Sequence, residues 1–77
     1  MTTESPQFRI VLRGYARAQV DEVVVHVEQV LASADHVARA KLRVRLPEAR
    51  FDVVLRGYDR ADVDAYLKQV GARLARR

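Results

Sequence analysis

The chain has 77 residues, 49% hydrophobic and 31% charged, with 3 Gly and 2 Pro. That suits one small folded domain or a pair of short repeats and excludes a low-complexity chain. The absence of Cys excludes a disulfide scaffold and a thiolate metal site. Of the net charge of +4, residues 1–42 contribute nothing and residues 43–77 contribute all, with Arg far outnumbering Lys. Such an excess suits an anionic partner, nucleic acid or a phospholipid surface, and equally a plain solvated face.

Residues 1–7 read as a flexible, polar N-terminus with no basic-then-apolar leader, and no apolar run is long enough to span a bilayer. The default compartment is the cytoplasm. From Phe8 the chain begins to repeat itself. Residues 8–21 recur as residues 51–64 at a constant offset of 43, with ten of fourteen positions identical. Weaker matches follow at Val27/Val70, Leu31/Leu74 and Ala32/Ala75. Self-similarity at one offset means one supersecondary unit used twice.

Each unit opens with an alternating stretch, Phe8-Ile10-Leu12 or Phe51-Val53-Leu55, whose β-branched and aromatic content favours extended backbone. Arg-Gly-Tyr follows as a break, and Gly14 and Gly57 would permit a positive φ there. A helix then begins. Asp59 is a good N-cap for the second helix, whereas Ala16 at the same place makes the first start looser by about 1 kcal/mol.

The first helix is expected over about 16–40, because Val20, Val23, Val24, Val27, Val30, Leu31, Ala34, Val37 and Ala38 recur at spacings of three and four. Residues 43–50 read as a connector, a short strand or a charged linker, so the first repeat spans 8–42 and the second 51–77. The second helix is expected over about 59–76, burying Val63, Val70, Leu74 and Tyr66 or Leu67, with Gly71 weakening it by about 1 kcal/mol. The fold class is mainly α: two tandem extended-segment–turn–helix repeats with the helices packed as a coiled-coil-like pair. The two helices could run parallel, with both Arg-Gly-Tyr turns at one end, or form an antiparallel hairpin. The valine face exceeds what the shorter helix can cover, so Val20, Val24, Val27 and Leu31 are expected at an interface between copies in a homo-oligomer.

The pattern carried by Phe51, Arg56, Gly57, Tyr58, Asp59, Val63, Asp64, Tyr66 and Leu67 resembles the DivIVA domain, a family of bacterial cytoplasmic scaffolds at curved membrane, poles and division septa. The first copy, through Phe8, Gly14, Tyr15, Val20 and Asp21, departs from the pattern at Ala16 and around Val24. The resemblance implies a turn whose apolar tip residue enters the bilayer while the neighbouring Arg meets lipid phosphates. By position these are Leu12 with Arg13 and Leu55 with Arg56, although leucine stands where the family usually carries phenylalanine. It also implies a non-catalytic scaffold or adaptor on the inner membrane face. Its partners would be itself, a longer family member or other division or polar-growth proteins. A competing reading places Leu12 and Leu55 in the core, with Arg13 and Arg56 paired to Asp21, Asp64 or a helix carboxylate. On either reading Tyr15 and Tyr58 are expected to be structural, packed on the helix starts with their hydroxyls satisfied, and Asp21 and Asp64 to serve as caps or ion-pair partners.

No nucleophile–base pair, metal cluster or phosphate loop stands out, so neither an enzyme nor a cofactor is expected. His26 and His36, ten apart, lack the spacing of a helical metal pair. One alternative remains. Arg43-Val44-Arg45-Leu46-Pro47 resembles the strand-to-helix start of a ribbon-helix-helix DNA-binding dimer, with Arg43 and Arg45 on one face of a ribbon. Nucleic acid is a partner only under that alternative.

Overall fold

The computed structural model describes residues 7–75, so nearly all of the expected flexible N-terminus lies outside the described residues. Both alternating stretches are extended, β1 (Ile10–Tyr15) and β2 (Val53–Tyr58), and a helix follows each: α1 (Arg17–Ala32) and α3 (Arg60–Ala75). Between the two repeats lie a further helix, α2 (His36–Arg45), and a short 3₁₀ turn, Leu46–Glu48. The described residues form a small α-rich fold of three helices and a two-stranded sheet.

The single long helix expected over 16–40 is thus two helices. The chain breaks at Ser33-Ala34-Asp35, where side chains offer the backbone better partners than a continued helix would. The Asp35 carboxylate accepts from the N–H groups of Val37 and Ala38, and the Asp35 N–H donates to Ser33 Oγ. From one turn into α2, Arg39 reaches back and donates to the carbonyls of Leu31 and Ser33, closing the end of α1. The apolar spacing ran through this break because Val37 and Ala38 fall in phase with α1 although they belong to its successor. Most of the connector, 43–50, is consequently helical. Arg43 and Arg45 lie within α2, so the ribbon that the DNA-binding alternative requires is absent from this segment.

Valines of α1 meet their counterparts from the second repeat at matching levels. Val20 and Val24 share one buried cluster with Val63, while Val27 and Val30 share another with Val70 and Leu74. The two helices therefore run side by side in the same direction, the parallel choice of the two that the sequence left open. Leu42 of α2 and Leu46 of the 3₁₀ turn seal the second cluster. Within one chain Val20, Val24 and Val27 are 1%, 7% and 0% exposed, so the second repeat already covers the valines expected between copies, while Leu31 is partly buried against the same core. A period of 43 cannot say whether the second unit of a pair comes from the same chain or another; here it is the same chain.

The strands tie the two repeats together at the other end. Ile10 faces Tyr58, Val11 faces Gly57 and Leu12 faces Arg56, then Gly14 faces Val54 and Tyr15 faces Val53, with the register shifting at each step. Tyr15 also meets Tyr58, its own counterpart in the second repeat. The remaining partners run in opposite order, so the segments cross rather than lie flat. Ala16 N–H donates to the Asp52 carbonyl and Asp59 N–H to the Arg9 carbonyl, both at 2.8 Å, which fixes each helix start to the other repeat's strand.

The glycines serve the crossing, not a turn. Neither has a positive φ; Arg13, at 60°, takes the left-handed conformation instead. A Cβ on Gly14 would fall on Tyr58 O and 2.5 Å from Gly57 C, and one on Gly57 would fall on Tyr15 O and 2.7 Å from Gly14 C. Two backbones pass here at a separation that admits no side chain on either.

Candidate functional site

The repeated motif is explained by contacts that each copy makes with the other. Phe8 packs on Tyr58 (ring centroids 5.1 Å apart) and edge-on to Tyr66 (5.6 Å), and Phe51 packs on Tyr15 (5.2 Å). The Tyr58 hydroxyl donates to Asp21 at 2.8 Å, and the Tyr15 hydroxyl to Asp64 at 3.4 Å. Asp21 and Asp64 are therefore acceptors for the opposite repeat's tyrosine, rather than caps or partners of arginine. The bond to Asp21, with burial adding to it, holds the Tyr58 phenol above its ordinary pKa. Val20 and Val63 are buried beneath this belt. Asp59 caps α3 as expected, accepting from Ala61 N–H at 2.9 Å, while Ala16 offers α1 no side-chain cap.

Three of the four motif positions at which the copies differ form a matched polar clamp. Arg9 donates from its backbone and guanidinium to Asp62 and from its guanidinium to Asp59. At the equivalent place Asp52 exchanges two bonds with Gln19, at 2.8 and 3.0 Å. Two first repeats paired together would set Arg9 against Gln19, and two second repeats would set Asp52 against Asp59 and Asp62. The divergence therefore favours pairing of unlike copies.

Arg9 holds the Asp62 carboxyl below its ordinary pKa, first through the side-chain hydrogen bond and then through the backbone one. A group lowered by folding contributes stability that is complete above its unfolded pKa and is lost as pH falls through the lowered value. Melting temperature should thus drop between pH 6 and pH 3 by more in the wild type than in Asp62→Asn; equal drops would show that the clamp is idle.

Above this belt stand the corners. Leu12 is 68% exposed and Leu55 75%. Arg13 and Arg56 are exposed as well, and among the described residues neither forms an ion pair. The core placement of the leucines and the pairing of their arginines with Asp21 and Asp64 do not occur. Because Leu12 faces Arg56 across the crossing, both corners occupy one end of the molecule. Two residues that the sequence reading left out join them: Ile10 and Val53, about half exposed, sit two positions before each leucine. The alternation itself was the signal, since i and i+2 share a face of a strand. A shallow cleft of about 230 Å³ between Ile10, Val11, Leu12 and Arg56 completes the surface. Among the described residues no helix is long and apolar enough to cross a membrane.

Comparisons with protein families, with characterised proteins and with solved structures find no match for this chain.

Proposed function

We propose that the protein is a non-catalytic adaptor or scaffold of the DivIVA type, which docks on an anionic cytoplasmic membrane face at poles or septa through its paired corners. The observation that carries this reading is the outward exposure of Leu12 and Leu55 at one end of the fold, each followed by an exposed arginine. Folding favours burying leucine, yet these two gain little burial from the chain itself. A leucyl side chain moved from water into hydrocarbon contributes about 1.5–3 kcal/mol, and a basic residue at an anionic leaflet about 1 kcal/mol. One corner alone binds marginally, but two held on one rigid end make the second contact intramolecular. The single-chain pairing of the repeats supplies both corners without requiring a second copy. Division or polar-growth proteins, or a longer scaffold of the same type, are the partners that such an adaptor would bring to the surface.

The test is co-sedimentation with vesicles. Binding to vesicles containing phosphatidylglycerol, weakened by salt and absent with phosphatidylcholine alone, supports the reading. Equal binding to both, or to neither, refutes it.

A further inference from the structure

We infer that the groove between α2, the 3₁₀ turn and α3 is the docking site for an acidic amphipathic helix of a partner protein. This surface is distinct from the corners, and the inference does not depend on membrane binding.

The groove has a volume of about 490 Å³. Its floor is apolar, with Leu46, Phe51 and Leu67, and its rim is cationic, with Arg43, Arg50 and Lys68. Asp64 is the one carboxylate among the lining residues, and it already accepts from the Tyr15 hydroxyl. Among the described residues none of the three rim cations forms an ion pair. A second groove, of about 560 Å³, is lined by Glu22 as well as by Lys41 and Arg45, so its charge is closer to balance.

Gly71 provides an independent observation. It lies inside α3, where glycine costs about 1 kcal/mol relative to alanine. Its φ is not left-handed, and a Cβ placed on it would meet nothing within 4 Å. Neither backbone conformation nor packing within the chain calls for glycine there. What the missing side chain does is leave the helix backbone open on the groove wall, where another helix can approach closely.

The repeat sharpens the point. At the offset of 43, Lys68 and Gly71 correspond to Val25 and Glu28 of α1. The second unit has a cation and an open wall where the first has a valine and a carboxylate. The two copies keep the same corners and core but differ on this face, so the face is a feature of the second copy rather than a by-product of the repeat. An apolar floor under a one-signed rim selects a ligand with apolar side chains on one face and carboxylates beside them. An acidic amphipathic helix meets both demands, and the gap at Gly71 lets its backbone come near.

The probe is a fluorescently labelled synthetic helix with leucines along one face and glutamates elsewhere, read by anisotropy. Two further peptides replace its glutamates by lysine or its leucines by serine. The full-length wild type should bind the acidic amphipathic peptide and neither control. Gly71→Gln should lower that affinity by about tenfold or more while raising the melting temperature, because it removes a helix-interior glycine. Lys68→Glu combined with Arg43→Glu should lose the peptide as well, and Leu12→Ala/Leu55→Ala should retain it. The inference is overturned if the acidic peptide does not bind or the lysine peptide binds as well. It is equally overturned if Gly71→Gln keeps full affinity, or if Gly71→Gln instead loses anionic vesicles or duplex DNA.

Discussion

Alanine at both Leu12 and Leu55 will release the protein from phosphatidylglycerol vesicles while leaving its melting curve in place. Each substitution removes most of an apolar side chain that is exposed in the free molecule and, on this account, buried in hydrocarbon when bound. The loss is about 2 kcal/mol per corner at about 0.8 kcal/mol per methylene. The pair together loses about 4 kcal/mol, roughly a thousandfold in partitioning. Leu12→Ala alone should fall between, with roughly a thirtyfold loss. Stability should stay within about 0.5 kcal/mol, because exposures of 68% and 75% leave little native packing to remove. A double variant that still sediments with anionic vesicles like the wild type would dispose of the membrane reading. Co-melting without loss of binding would show that the leucines are spectators.

Gly14→Ala has the largest expected effect on folding. The new methyl group would land on the backbone of Gly57 and Tyr58, not on the yielding end of a side chain. Relief requires the crossed strands to separate, and the cross-repeat contacts of Tyr15, Tyr58, Phe8 and Phe51 separate with them. A cost of about 3 kcal/mol, the upper end for overpacking, compares with roughly 4–12 kcal/mol of total stability for a domain of this length. Gly57→Ala should behave the same way. Gly71→Ala should do the opposite, stabilising by up to about 1 kcal/mol, since its Cβ meets open space. Urea titration followed by circular dichroism reads all three. If Gly14→Ala and Gly71→Ala shift the midpoint in the same direction, the crossing is not as described.

The contrast among these glycines marks where sequence reading succeeds and where it stops. The duplication, the extended stretch before each Arg-Gly-Tyr, the helix starts and the cap at Asp59 were all legible, because each rests on local propensity or on a period. Gly14 and Gly57 were rightly singled out but for the wrong reason: the demand on them comes from another part of the chain, 43 residues away, and local turn chemistry does not reveal it. Val20, Val24 and Val27 lie on a buried face as their spacing indicates, and within the chain it is the second repeat that covers them. Hydrophobic periodicity reports that a face is covered and not by what. The α1–α2 break was carried by Ser33 and Asp35, two residues that offer side-chain oxygens to the backbone, and an unbroken apolar spacing masked it. Leu12 and Leu55 were named from the resemblance and then found exposed. Ile10 and Val53 follow from the same alternation, since they share a strand face with the leucines two positions on, whereas the resemblance points only to the tip.

The polar clamp follows the same logic. In the sequence Arg9, Asp52, Gln19 and Asp62 are simply positions at which the two copies differ. In three dimensions the four residues form two matched pairs at equivalent places, each joining one copy to the other. Divergence between copies is thus part of how one chain selects its own second half.

Coupling between the two corners tests the account most directly. The chain has no cysteine, so Val53→Cys can carry a single environment-sensitive fluorophore beside Leu55. Adding phosphatidylglycerol vesicles should shift its emission to the blue. Leu12→Ala, a change in the other repeat, should then suppress most of that shift at the same lipid concentration. A shift at Val53 that ignores Leu12 would mean that the corners bind separately or not at all, and would contradict the paired surface described here.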